Sequence, residues 1–224
     1  MKLNADFSAR VVIRPADYAW AASPAAGVER MMLDRIGGEV ARATTIVRFA
    51  PNSAFDAHTH GGGEEYLVLE GVFSDEAGDY PAGTYVRNPI GTSHRPHIGP
   101  EGATILVKLH QFEDTDTKQK VVDTRNAAFT PGATEGVEVL PLHSVPTEEV
   151  GLHRWQPGTA LPPHGHAGGA EIFVLEGSFA DEHGTYPAGT WLRLPHLFAH
   201  APRTDEGCLL WVKSGHLPRE AAAA

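Results

Sequence analysis

Short apolar runs, cut by glycine, proline or acidic turns, recur along most of the chain. Thr44 to Phe49 alternates apolar and polar positions, the period of a half-buried strand. Tyr66 to Leu69 is a short apolar run ending at Glu70-Gly71, and Val72-Phe73 begins a return strand. Asp75-Glu76-Ala77-Gly78-Asp79 has hairpin-loop chemistry. Gly83 to Asn88 predicts another strand, turned by Pro89-Ile90-Gly91, and Ile105 to Leu109 a closing one. Val28 to Ile36 fits a strand pair or a short helix. Gln111 to Gly136 is more polar and reads as connecting structure with a strand around Lys120 to Asp123. Further strands are predicted at Leu152 to Trp155, Gly189 to Leu194 and Leu209 to Lys213, and Glu220 to Ala224 as a frayed tail. No long amphipathic helix is visible. Many short strands between turn signals predict an all-β sandwich or barrel.

The pattern occurs twice. His58-Thr59-His60-Gly61-Gly62-Gly63-Glu64-Glu65-Tyr66-Leu67-Val68-Leu69-Glu70-Gly71 returns 106 residues later as His164-Gly165-His166-Ala167-Gly168-Gly169-Ala170-Glu171-Ile172-Phe173-Val174-Leu175-Glu176-Gly177. The same offset carries Asp75-Glu76 to Asp181-Glu182, Tyr80-Pro81-Ala82-Gly83-Thr84 to Tyr186-Pro187-Ala188-Gly189-Thr190, Arg87 to Arg193, and His94 to His200. An ungapped match of this length is an internal duplication. It predicts two similar units, residues 1–112 and 113–224, each of ordinary domain size.

Composition narrows the partners. Hydrophobic content of 42% is enough for a packed core, and 24 glycines with 17 prolines fit a turn-rich β protein. The net charge is -10 and no Lys/Arg cluster is present, which disfavours nucleic acid and anionic membranes. Cys208 is the only cysteine, so no intramolecular disulfide and no cysteine-based zinc site can form. The N-terminal residues lack an apolar core of signal-peptide length, and no run approaches a membrane span, so a cytoplasmic location is expected.

The chemistry lies in the repeated stretch. On an extended strand His58 and His60 share a face, and the Glu64 carboxylate follows four residues after His60. Two neutral imidazoles and a carboxylate on one face can bind a transition metal, and His94 is available as a fourth ligand. The alternative is a solvated histidine-rich loop before an edge strand, or a relic site without metal.

Two motifs in order resemble the cupin family. His58, His60, Glu64 and Gly71 match its first motif, Gly-x5-His-x-His-x3,4-Glu-x6-Gly, with Asn52 in place of the leading glycine. Gly83, Pro89, Gly91 and His94 match the second, Gly-x5-Pro-x-Gly-x2-His-x3-Asn, with Ile98 in place of the closing Asn. The phrase Leu-Glu-Gly-x-Phe-x-Asp-Glu-x-Gly-x-Tyr-Pro-Ala-Gly-Thr, in both units, is similar to the cupin domain of ChrR-type anti-sigma factors and their stand-alone relatives. The resemblance implies two tandem small antiparallel β-barrels, a bicupin, with a divalent metal held in the first by His58, His60, Glu64 and His94. Zinc is the family's common metal, with Fe(II), Mn and Ni as alternatives. The sigma-binding helical domain of those factors has no counterpart here.

The second unit departs from the motif. His164, His166 and His200 fill the histidine positions, but Ala170 stands where Glu64 does. Glu171 is one residue on, and strand alternation aims it at the opposite face unless a bulge brings it back. Three histidines with weaker binding, or none, are expected there. Arg87 and Arg193 are expected to pair with acidic neighbours, and Cys208 to be buried. No catalytic set beyond the ligands is legible, since Glu65 and Asp56 are unplaced. Two functions fit the resemblance. One is a metal-dependent small-molecule or stress-responsive regulatory protein. The other is a non-haem iron dioxygenase acting on a small ketone. A small molecule in the barrel is the expected partner, and exposed barrel edges are compatible with a homodimer.

Overall fold

The structure, a computed structural model, describes residues 1–219; the segment Glu220–Ala224, expected to fray, lies outside the described residues. It is nearly all-β and antiparallel, as the short periodic runs predict, with a single 3-10 turn at Pro15–Asp17 among the described residues. None of its described helical segments is long and apolar enough to cross a membrane.

The chain forms two compact units. In the first, the sheet runs Lys2–Leu3, Val28–Gly37, Ala41–Phe49, His97–Leu109, Glu64–Asp75, Thr84–Asn88, Lys120–Asp123. A separate pair, His58–Thr59 with Ser93–His94, lies beside it. The second unit repeats the order as Thr130–Pro131, Val137–Val145, Glu148–Trp155, Cys208–Ser214, Ala170–Asp181, Trp191–Leu194, Val11–Ile13. Val28–Gly37 is therefore one strand, neither a strand pair nor a helix.

Relative to a division at residue 112, two segments change sides. Lys120–Asp123 pairs with Thr84–Asn88, Lys120 opposite Arg87, and so belongs to the first unit. Val11–Ile13 pairs with Trp191–Leu194, Val11 opposite Arg193, so Asp6–Tyr18 belongs to the second unit. In each unit an edge strand is supplied by chain that lies outside the repeated motif.

Alternate residues of the central strands build each core. Tyr66, Val68 and Phe73 meet Val86, Ile105 and Val107 in the first unit. Ile172, Val174 and Phe179 meet Leu192, Leu210 and Val212 in the second. Cys208 is buried there, and burial pushes its thiol up to about 11.

Glu70-Gly71 is not the expected turn: Glu64–Asp75 continues through it as one strand. Val68 faces Ile105 and Glu70 faces Thr104, so Leu69 is an extra residue. The strand bends at this bulge. Gly71 has φ +69, and a Cβ on it would lie 2.0 Å from the Gly102 carbonyl oxygen. The second unit repeats the device at Gly177, with φ +67 and Gly207 in the facing place. The glycine thus permits a bend and a close backbone approach rather than a reversal. The reversal comes at Glu76-Ala77, between Glu64–Asp75 and Gly78–Pro81.

A second backbone constraint sits beside the histidines. Thr92 N–H closes a turn on Pro89 O, and the turn's third residue, Gly91, has φ +86. Its counterpart is Leu197, held at φ +56 and 58% exposed. A left-handed conformation costs a non-glycine residue roughly 1–2 kcal/mol, and little burial compensates it at this exposed position.

Leu197→Gly is therefore expected to stabilise the second unit by up to about 1 kcal/mol, the released strain exceeding glycine's larger chain entropy. Gly71→Ala is expected to destabilise the first unit by more than that amount, because its obstacle is a backbone carbonyl. Denaturant midpoints of the two variants check both signs.

Candidate metal centre

His58 and His94 are brought together by a two-residue ladder in which they are direct partners. His60 follows and is tied to the Pro89 turn: its N–H donates to Thr92 O (2.9 Å) and its carbonyl accepts from Gly91 N–H (3.0 Å). Glu64 opens the long strand, opposite Asn88. His60, Glu64 and His94 are buried, and His58 lies at the exposed mouth. One ligand atom from each of the four lies within 4.8 Å of the other three.

The ring orientations follow from the Nδ1 contacts. His58 Nδ1 faces Asp56 O at 3.2 Å, and a carbonyl can only accept. The Thr92 hydroxyl donates to Pro89 O (2.7 Å), so towards His60 Nδ1, 2.9 Å away, it accepts. His94 Nδ1 donates to Asp75 Oδ2 at 3.1 Å. Asp75 is fixed in turn by accepting from Tyr80 O–H (3.0 Å) and Ala77 N–H (2.8 Å) at Oδ1. All three neutral imidazoles therefore carry their proton on Nδ1 and turn a bare Nε2 inward.

Those lone pairs face one another. His94 Nε2 is 3.2 Å from His58 Nε2 and 3.7 Å from Glu64 Oε2, and His60 Nε2 is 3.3 Å from Glu64 Oε2. Glu64 Oε2 also accepts from Asn88 Nδ2 at 3.2 Å. With the rings neutral, none of the four converging atoms carries a proton to donate. Such an array repels itself unless a proton or a metal cation sits within it. Two donors about 2.0–2.1 Å from one ion and roughly 90–110° apart lie about 2.8–3.4 Å from each other, close to the shorter spacings here. The residues fit a divalent ion: three neutral nitrogens, one carboxylate and a hydrogen-bonded outer layer that sets their orientation. Burial lowers the His60 pKa, with Glu64 acting against it, so the ring is kept unprotonated and ready to ligate.

Beside the quartet lies a cavity of about 300 Å³, walled by Val47, Phe49, Phe73 and Ile105 and reached by His58, Glu64 and His94. An ion on the quartet would border an apolar chamber large enough for a small organic molecule.

The other expected residues lie elsewhere. Glu65 points to the opposite face, accepts from Tyr85 O–H (2.7 Å) and pairs with Arg87 at 3.2 Å. Arg87 also pairs with Asp116, as expected of a strand arginine with acidic neighbours. Arg193, opposite Glu171 across its strand pair, donates to the Asp6 carbonyl (2.8 Å) and lies over the Phe7 ring. Asp56 is exposed and contributes its carbonyl to His58. Asn52, in the motif's glycine position, has φ +56 where Gly158 of the second unit has +79. Asparagine is among the few residues that tolerate this conformation.

In the second unit His164, His166 and His200 also converge, with ligand atoms within 4.8 Å. Their strands meet through paired backbone bonds between His164 and His200 (3.0 and 2.9 Å). Ala170 occupies the place of Glu64, and Glu171 points away, as alternation predicts. It accepts from Trp191 Nε1 (3.3 Å) and lies 2.9 Å from His216 Nε2. Phe198 stands where Thr92 does, so the hydroxyl that orients His60 has no equivalent beside His166. His153, in the register position of Val47, joins the second unit's interior. Burial pushes the pKa of both His153 and His166 down to about 4.

Asp75, Thr92 and Asn88 hold the ligands and were not singled out from sequence. The repeat of Asp75-Glu76 as Asp181-Glu182 was the available signal for the first.

Comparison with known proteins agrees with this architecture. A family model described as the ChrR cupin-like domain matches residues 8–113 and again 117–218. No curated protein matches the chain in sequence. Among solved structures, a provisionally named dioxygenase from Nostoc punctiforme superposes with a TM-score of 0.79 at 14% identity, over 96% of this chain and 85% of that one. A cupin 2 conserved barrel domain protein from Leptotrichia buccalis gives 0.61 at 14% identity, over 87% and 92%. The oxalate decarboxylase of Bacillus subtilis gives 0.58 at 15%, over 91% and 75%. At these identities the likeness is one of fold.

Two outcomes are expected. Asp75→Asn removes the carboxylate that holds the His94 proton on Nδ1 and should weaken divalent-metal affinity about 10–100-fold, read by calorimetric titration, with unfolding little changed. In the metal-free protein His153 and His166 are neutral when folded but take a proton near pH 6.5 when unfolded. The unfolded chain therefore binds more protons between pH 6.5 and 4, and stability of the second unit falls as pH drops through that window, by roughly 1.4 kcal/mol per unit for each ring. Replacing His153 by Leu should flatten the slope of denaturant midpoint against pH.

Proposed function

Because the chain belongs to the ChrR cupin-like domain family, matched in both halves, we propose that its first unit is a metal-dependent small-molecule site serving a regulatory role. His58, His60, Glu64 and His94 hold a divalent ion there, with zinc the first candidate. The observation that carries this reading is the convergence of three imidazole Nε2 atoms, whose Nδ1 atoms all face acceptors, on one carboxylate oxygen. A bound ion would supply Lewis-acid character and a place for an exogenous oxygen donor.

The protein's own residues do the rest. Asp75, Thr92 and Asp56 keep the imidazole protons outward, and Asn88 holds the Glu64 carboxylate. Val47, Phe49, Phe73 and Ile105 exclude water from the chamber and select a small, largely apolar ligand. With zinc bound, occupation of this chamber is the signal that a regulatory protein would read.

A second reading is a non-haem iron dioxygenase acting on a small ketone. The chamber favours it, because three of the four ligands border open space where dioxygen and substrate could both approach. The fold it shares with the Nostoc punctiforme protein supports the same reading.

The two are separated by loading metal-free protein anaerobically with Fe(II) or with Zn(II). Oxygen uptake over a panel of small diketones and hydroxyketones is then measured alongside ligand binding to the zinc form. Saturable ligand binding by the zinc form without uptake by the iron form supports the regulatory reading, and iron-dependent uptake lost in His94→Ala supports the dioxygenase. A protein that retains no metal of either kind after desalting overturns both.

A further inference from the structure

The second unit has lost more than a single ligand. Glu64 faces Asn88 across one strand pair, and Ala170 faces Leu194 at the same place in the other unit. Ala170 and Leu194 are fully buried. The carboxylate and the amide that held it have been exchanged together for two apolar side chains. A one-sided exchange would have left a polar group buried without its partner, at a cost of about 1–3 kcal/mol.

The three histidines remain. His164 donates from Nδ1 to Pro162 O at 3.0 Å, which leaves its Nε2 bare. His200 is only 2% exposed; its Nε2 has no hydrogen-bond partner, and its Nδ1 faces Asp181 Oδ2 at 3.5 Å. A buried ring nitrogen without a partner, beside two other imidazoles, is costly unless something occupies the space among them. The polar pair is absent from the second unit, while the three nitrogen donors are present.

We infer that His164, His166 and His200 form a carboxylate-free cation site, one that discriminates against Mn(II) in favour of Zn(II) more strongly than the first site does. The chemistry is that of the donor set. Carboxylate oxygen suits manganese, whereas imidazole suits zinc, copper and nickel, and the nitrogen-only site offers Mn(II) no anionic oxygen. The two units thus divide the available metals. This site uses other residues than the first-unit site, and it can stand or fall separately.

The test uses two double variants, His58→Ala/His94→Ala and His164→Ala/His200→Ala. Each is checked by circular dichroism and unfolding, then stripped of metal and titrated calorimetrically with Zn(II) and Mn(II). Each is expected to bind one Zn(II) per chain. The ratio of the Mn(II) Kd to the Zn(II) Kd should be at least about tenfold larger when only the second site is intact. Equal ratios overturn the inference, as does a second-site-only variant that binds no zinc while the first-site-only variant binds it. Zinc held by the second site alone would overturn the first-unit reading and leave this one standing. On the unmodified chain, which needs no variant to fold, the same preference appears as two Zn(II) per chain with the second Mn(II) at least about tenfold weaker than the first. Two equal Mn(II) sites overturn it.

Discussion

Electrostatic repulsion among unprotonated donor atoms is the constraint that the first unit is built to contain. Three imidazole nitrogens and a carboxylate oxygen converge within 4.8 Å of one another, three of their separations being 3.2–3.7 Å. Left alone, side chains on a short ladder and a loop would turn away from one another. They are held by further contacts: a carbonyl behind His58, a hydroxyl behind His60, a carboxylate behind His94, and an amide that donates to the converging oxygen of Glu64. Each contact is itself anchored, Thr92 by Pro89 and Asp75 by Tyr80 and Ala77. The bends at Gly71 and Gly91 place these supporting groups, so the glycines of the motif act at one remove from the chemistry.

The ligand quartet was legible because it is carried by types and spacing: two histidines one residue apart, a carboxylate four on, and a distant histidine at a repeated offset. Strand alternation also assigned Glu171 to the far face. The supporting layer was not legible. A threonine hydroxyl, an aspartate and an asparagine become informative only when their partners are known, and those partners lie 19 to 32 residues away. The run ending at Glu70-Gly71 misled because glycine marks both reversals and bulges, and only the register of the opposite strand separates them. Membership of the edge strands depends on pairing over long distances, which no local pattern records.

Comparison of the two units shows how one scaffold separates support from ligation. The backbone devices persist in both: the bulge glycine, the histidine ladder and the turn with a left-handed third residue. What changes are the side chains around the donors. Thr92 gives way to Phe198, Asn88 to Leu194 and Glu64 to Ala170, each towards apolar character, while the outward carboxylates Glu65 and Glu171 keep buried partners in their own units. The second interior is accordingly more apolar around its nitrogens, and Leu197 holds with strain the conformation that Gly91 takes freely.

The edge strand Val11–Ile13 carries an implication for how the molecule is made. Its pairing partner is Trp191–Leu194, and Tyr18 bonds to Gly189, 171 residues further along. During synthesis the first unit can close around its own strands while this segment waits with its backbone groups bare. The second unit can be completed only after Trp191–Leu194 and Cys208–Ser214 have emerged. Its contacts are of high sequence separation, so its assembly is the slow, aggregation-exposed phase of biogenesis.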